Sequence, residues 1–183
     1  MSGIRGIVLL TRFDYIEMTY GRERLKEFIR QLPGEDAKIL NQPIVISKEY
    51  PESLLKSIDD AMQHEFFGDN EQKFLELGYW NARQVVPRYF QIYIDERKPR
   101  GFLTQMMRMR PILIGLGEMH VTFFDKRDAG IRIHYGQPYS TAVKLNELGF
   151  LEEGCRMCGA AKVHVKEMDA TGISVEYEIS WDM

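Results

Sequence analysis

Both cysteines of the chain stand together in "CRMCGAAKVHVKE" (155–167), spaced Cys-x-x-Cys, with His164 and Glu167 a few residues on. Three chemistries use such a pair. As thiolates the two supply half of a tetrahedral zinc site. As a dithiol they exchange electrons when a helix N-terminus lowers one thiol pKa. Buried, they act as small hydrophobes on a helix. The residues upstream favour the third role. Leu145, Leu148, Leu151, Cys155 and Cys158 step by three, three, four and three, which puts both sulfurs on one apolar stripe. Gly159 then stops the helix. The pair sits at a helix C-terminus, the wrong end for a depressed thiol pKa. His164 alternates away from Val163 and Val165, so it does not converge with the cysteines, and no metal site is expected.

The remaining histidines raise a second possibility. If Val121 pairs with Ile133 and Phe123 with Ile131 in a hairpin, His120 stands opposite His134, where two imidazoles bind a metal or sense pH near 6.5. The simpler reading is a solvated face shared with Thr122 and Arg132. His64, in "AMQHEFFG", lacks the second histidine four residues on that a zinc-protease helix needs. The acidic pairs at 59–60 and 152–153 read as polar helix faces. There is no glycine-rich phosphate loop, no nucleophile elbow and no ligand-spaced carboxylate cluster, so the chain is expected not to be an enzyme.

Aromatic and sulfur-bearing residues crowd the middle of the chain, among them Tyr79, Phe90, Phe102 and Met106. At helical spacing these are core residues first. Methionine also adapts to irregular apolar ligands, and a proline-bent helix pair over a sheet is a place for a cavity. Arg110 would contribute a single buried or rim cation there.

The elements that would position these groups follow from periodicity. Phe13, Ile16 and Tyr20, then Leu25, Phe28, Ile29 and Leu32 past Gly21, show a one-sided 3.6-residue pattern in two pieces, ended by Pro33-Gly34. An irregular connection follows (32–53), too apolar at Ile44, Val45 and Ile46 for a free linker. Pro51 opens a helix with a stripe at Leu54, Leu55, Ile58, Ala61, Met62 and Phe66, closed by Gly68. A third segment, 71–94, carries Pro87, which should bend or split it. A fourth, 101–117, carries Pro111. After Gly117 the period becomes two. Met119, Val121 and Phe123, a turn in "DKRDAG", then Ile131, Ile133 and Tyr135 make one hairpin. Val163 and Val165, a turn in "MDATG", then Ile173, Val175, Tyr177, Ile179 and Trp181 make another. A helix from about Ser140 to Cys158 joins them. The expected fold is α+β: N-terminal helices followed by a four-stranded antiparallel sheet, two hairpins joined by a helix.

The order of these pieces, with "GIVLLTRFDYIEMTYGRERLKEF", "EYPESLLKSI", "FLELGYW", "GFLTQMMRMR" and "IRIHYGQPY" in sequence, resembles the superfamily of haem nitric-oxide-binding domains, four-vinyl-reductase-type sensors and Golgi transport-particle subunits. It is also similar to a large myxobacterial paralogous family. The resemblance implies a signalling or regulatory scaffold. It also implies where haem would be held. Counting from Phe102-Leu103, the iron-ligating histidine of those domains falls on Arg110, and a guanidinium is no axial ligand. Their propionate-binding Tyr-x-Ser-x-Arg falls on Tyr135-Gly136-Gln137-Pro138-Tyr139, where only the tyrosine remains. The zinc site of the reductase-type domains needs a cysteine three residues after Glu167, and Ala170 stands there.

With 183 residues and 44% hydrophobic content the chain can bury one core, and a single domain over 1–183 is expected, mainly helical over 1–116 and hairpin-helix-hairpin over 117–183. The net charge of −3, from 24 basic against 27 acidic residues, speaks against a nucleic-acid partner. No run approaches the roughly 20 apolar residues of a membrane span, so a cytoplasmic protein is expected. The expected function is a non-enzymatic signalling domain, without haem or other cofactor, binding a small apolar ligand through Tyr79, Phe90, Phe102, Met106, Arg110 and Tyr135. The alternatives are a protein–protein adaptor, like the transport-particle subunits, and a zinc-dependent sensor. The apolar surface of 13–32 exceeds what one sheet face can cover, which suggests a homodimer.

Overall fold

The computed structural model describes residues 3–183. The chain divides into two compact units, one running up to Glu71 and including Ile112–Leu116, the other formed by Gln72–Pro111 and Gly117–Met183.

In the first unit, β1 (Gly3–Arg5) pairs antiparallel with β2 (Glu49–Pro51), and buried Ile4 stands opposite buried Tyr50. This small sheet lay hidden in the sequence because three-residue strands carry no periodicity. Helix α1 (Gly6–Tyr20) starts seven residues before the first residue of the expected pattern. No side chain caps it; the amides of Gly6 and Ile7 instead donate to the carbonyls of Lys48 and Ile46 at 3.0 and 3.1 Å. The connection 41–48 is thus pinned by its backbone, while the Val45 and Ile46 side chains are exposed. Gly21, at φ 95, breaks α1 from α2 (Arg22–Gln31) as expected. A further short helix, α3 (Gly34–Leu40), forms where only an irregular connection was anticipated. Helix α4 (Glu52–Glu65) buries Leu54, Leu55, Ile58 and Met62.

The surface proposed for dimerisation is largely spent within the single chain. Phe13, Ile16, Phe28 and Leu32 are buried, and the Phe66 ring lies 5.4 Å from Phe28 and stacks on Tyr20 at 4.5 Å. Asp59 also departs from expectation. It is not on a polar face but buried, held by the guanidinium of Arg12 at 3.1 and 3.4 Å, whereas its neighbour Asp60 is exposed. Burial outweighs the Arg12 charge and raises the Asp59 pKa above the usual carboxylate range.

The second unit holds α5 (Lys73–Tyr89), α6 (Gln91–Asp95), α7 (Pro99–Leu113, as far as Pro111), β3 (Glu118–Asp125), β4 (Asp128–His134), α8 (Thr141–Met157), β5 (Lys162–Ala170) and β6 (Ser174–Asp182). Pro87 stays inside α5, and the helix ends two residues later at Tyr89, with Phe90 as the C-terminal cap. Ser140 caps α8 by accepting from the Val143 amide. The sheet order is β3-β4-β6-β5, all antiparallel. The α+β class and the paired hairpins joined by a helix are as expected. Its buried face carries Met119, Ile131, Ile133, Val175, Tyr177, Ile179 and Trp181.

The register of the first hairpin corrects the expected one. Val121 pairs with Ile131 and Met119 with Ile133, so His120 stands opposite Arg132, and Glu118 opposite His134. The turn is only Lys126-Arg127, much tighter than the six residues anticipated, and this slips the pairing by two. A slip of two preserves which side chains share a face, so alternation alone could not detect it. No imidazole pair forms.

Helices α5 and α8 approach backbone to backbone. A Cβ at Gly78 would lie 2.9 Å from the Gly149 Cα and meet the Asn146 carbonyl oxygen; one at Gly149 would lie 3.1 Å from the Gly78 Cα and meet the Leu75 carbonyl oxygen. Neither neighbour is a flexible side chain, so added volume must push the helices apart. Gly149→Val should therefore lower unfolding stability by about 1–3 kcal/mol, measured by urea denaturation, with Gly78→Val acting in the same direction.

Candidate functional site

Phe102, Leu103, Met106 and Arg110 lie on one side of α7, and all four are buried. Three are apolar and the fourth is a guanidinium with 0% exposure. A charge in such a place requires a partner. Glu147 of α8, 5% exposed, supplies it: Arg110 Nε donates to Oε1 at 2.5 Å and Nη2 to Oε2 at 3.1 Å, a two-point contact. The Tyr135 hydroxyl donates to the same Oε2 at 2.9 Å, and the Arg110 guanidinium lies 5.4 Å from the centre of the Tyr135 ring. Three elements thus meet at one carboxylate.

The electrostatics follow from burial and this pairing. Burial works most strongly against a charged Arg110, but Glu147 and Tyr135 together outweigh it, and the guanidinium pKa is raised. Burial pushes the Tyr135 phenol well above its usual range, and the Glu147 charge pushes it further. On β6 the Tyr177 hydroxyl is buried with no hydrogen-bond partner among the described residues. Its pKa is raised, by burial first and then by Glu167 and Glu147.

The other expected site residues fall in two groups. Phe90 and Phe102 meet edge to face at 5.2 Å, and Met106 is buried one turn along α7 from Phe102. The Phe102 ring rests against Gly154 of α8, where any Cβ would strike it. Tyr79 is placed apart from Arg110's hydrogen bonds: its hydroxyl donates to Glu152 at 2.7 Å, beneath the Arg156 guanidinium. Sequence reasoning missed Glu147. The available signal was Arg110, which continues the apolar stripe of α7 and therefore demands a carboxylate, though not a particular one.

Cys155 and Cys158 are free and buried, and no group of three or more metal-capable side chains occurs among the described residues. Burial raises both thiol pKa values, that of Cys158 to about 12. His64 and His120 are exposed, their side chains at 84% and 66%, and so are His134 and His164.

No family model matches the sequence, and no curated protein matches it. Solved structures do. A variant of Tt H-NOX matches with a TM-score of 0.75 at 15% identity, covering 98% of this chain and 95% of that one. An oxygen-binding H-NOX domain related to soluble guanylate cyclases, in its oxygen complex, matches with a TM-score of 0.74 at 14% identity over 98% and 95%. An Fe(II) unliganded H-NOX variant from K. algicida gives 0.71 at 15% identity over 98% and 97%. The fold is that of the H-NOX domains. The chain thus shares the fold of the domains that its ordered motifs resemble.

Haem does not fit the residues present on this H-NOX scaffold. The position that the resemblance assigns to the iron ligand is Arg110, which has no lone pair to offer and is committed to Glu147. All four histidines are exposed. Tyr135, the retained propionate-site tyrosine, donates to a carboxylate of the chain itself.

Glu147→Gln should cost about 3–5 kcal/mol in urea denaturation by leaving the Arg110 charge buried without a counter-charge; Arg110→Met combined with Glu147→Leu should recover most of the loss. The cysteines should resist a thiol reagent at pH 8 in the folded chain and react fully once unfolded. Because their folded pKa values are raised, the stability they contribute is complete below the unfolded thiol pKa of about 8.5. It is lost as pH rises from there through about 12, the folded value of Cys158.

Proposed function

We propose that this chain is a non-enzymatic regulatory domain that works on the H-NOX scaffold without haem. The observation that carries the reading is the buried Arg110–Glu147–Tyr135 cluster, in which the residues that the resemblance assigns to the iron ligand and the propionate tyrosine bind each other through one internal carboxylate. The scaffold supplies the regulatory part by analogy; the cluster supplies the haem-free part. The signal is a small apolar molecule received by Phe90, Phe102 and Met106, with Tyr79, Arg110 and Tyr135 as the polar members of the site. Such a ligand would have to open the contact between Phe90 and Phe102, which are both fully buried.

A second reading, an adaptor acting through protein contacts, is favoured by one specific observation. The Phe102 ring already fills the space above Gly154, as in a packed core. Native mass spectrometry of freshly purified chain separates the two: a co-purifying apolar compound supports the sensor, and the bare chain mass supports the adaptor. Expression with haem supplied should yield protein without Soret absorbance. A stoichiometric Soret band would overturn the haem-free reading.

A further inference from the structure

The chain is acidic overall, yet one groove of the second unit, about 370 Å³ in volume, is walled by Arg97, Lys98, Arg100, Lys126 and Arg127, with Trp181 against it. Two separate chain segments deliver these cations. Arg97 and Lys98 form the connection between α6 and α7, and Lys126-Arg127 is the two-residue turn of the first hairpin. Several contacts hold the segments in place. The Trp181 amide donates to the Arg127 carbonyl at 3.0 Å, tying the turn to the end of β6. Arg100 lies 4.2 Å over the Phe123 ring and donates to the Asp125 carbonyl at 3.2 Å, tying the first turn of α7 to the same hairpin. Arg97 adopts φ 52, a conformation rare for a side-chain-bearing residue, with its Cβ 2.8 Å from where a Cβ of Gly159 would be.

Asp95 and Glu96 precede Arg97, and Asp125 and Asp128 flank the turn, but only Glu96 is ion-paired with a cation of the groove among the described residues. Lys98 is paired with Glu96 at 2.8 Å, but Arg97, Lys126 and Arg127 have no ion pair among the described residues, and Arg100 bonds only a carbonyl and a ring. Three such cations crowded together repel one another unless an anion joins them. The α7 N-terminus opens on the same groove and adds partial positive charge of its own.

We propose that this groove binds a small phosphate ester carrying at least two negative charges. Its volume suits one small ligand, and the exposed guanidinium groups of Arg97 and Arg127 suit the forked geometry of phosphoryl oxygens. This site is independent of the Arg110 cluster and of whether that cluster excludes haem.

The test is calorimetric titration of the full chain with inorganic pyrophosphate at fixed ionic strength, with Trp181 emission followed in parallel. Saturable one-to-one binding that strengthens as salt is lowered is expected. Lys126→Glu with Arg127→Glu should weaken it at least about tenfold, which is about 1.4 kcal/mol, while circular dichroism and the thermal transition stay unchanged. Arg30→Glu with Lys166→Glu, both exposed and neither lining the groove, makes the same change in net charge and should leave affinity unaltered. Absence of saturable binding at millimolar pyrophosphate, or equal weakening by both changes, would overturn the proposal. So would binding of a single-stranded oligonucleotide without binding of pyrophosphate, which would make the groove part of a polymer-binding surface.

Discussion

A guanidinium with no exposure to water dictates much of the second unit. Removing Arg110 from solvent is tolerable only because Glu147 meets it at two points and Tyr135 completes the carboxylate's hydrogen bonds. That requirement links three places far apart in sequence: the last turns of α7, the strand exit after β4 and the second turn of α8. Apolar packing alone would let α7 slide or rotate at small cost. A bidentate charged contact does not, since a small displacement leaves a buried charge without its partner.

The same need for close placement appears in the backbone. Gly78 and Gly149 let α5 and α8 approach within a distance that no side chain would allow, and Gly154 makes room for the Phe102 ring. These glycines and the Arg110–Glu147 pair both fix α8. One removes volume and the other adds a directed contact, so the helix between the two hairpins is constrained in both separation and register. The first unit repeats the device in a simpler form, with Arg12 of α1 held by Asp59 of α4 away from water.

On the proposed haem-free reading, this arrangement lets the chain keep a scaffold while departing from its cofactor chemistry. The H-NOX architecture is recovered over nearly the whole length at 14–15% identity. The interior positions that the resemblance connects with iron and propionate carry instead groups that satisfy one another. A core arginine is compatible with the fold because it is neutralised inside it, and the fold does not by itself specify what the domain senses.

The sequence alone determined the features that depend on neighbours along the chain. The helix break at Gly21, the stripe of α4, the existence of two hairpins joined by a helix and the burial of both cysteines all follow from spacing and local conformational preference, and the structure has them. The ordered motifs also carried the superfamily resemblance. Only tertiary structure decided the rest. A two-residue hairpin slip leaves every alternation intact, so His120 facing Arg132 was invisible to period-two reasoning. The strands β1 and β2 are too short to have a period, and α1 begins early because distant carbonyls at 46 and 48 satisfy its first amides. Asp59 and Glu147 look like ordinary polar helix positions until a cation from another helix faces them. A buried charge is a statement about two residues at once, and a linear pattern records only one of them.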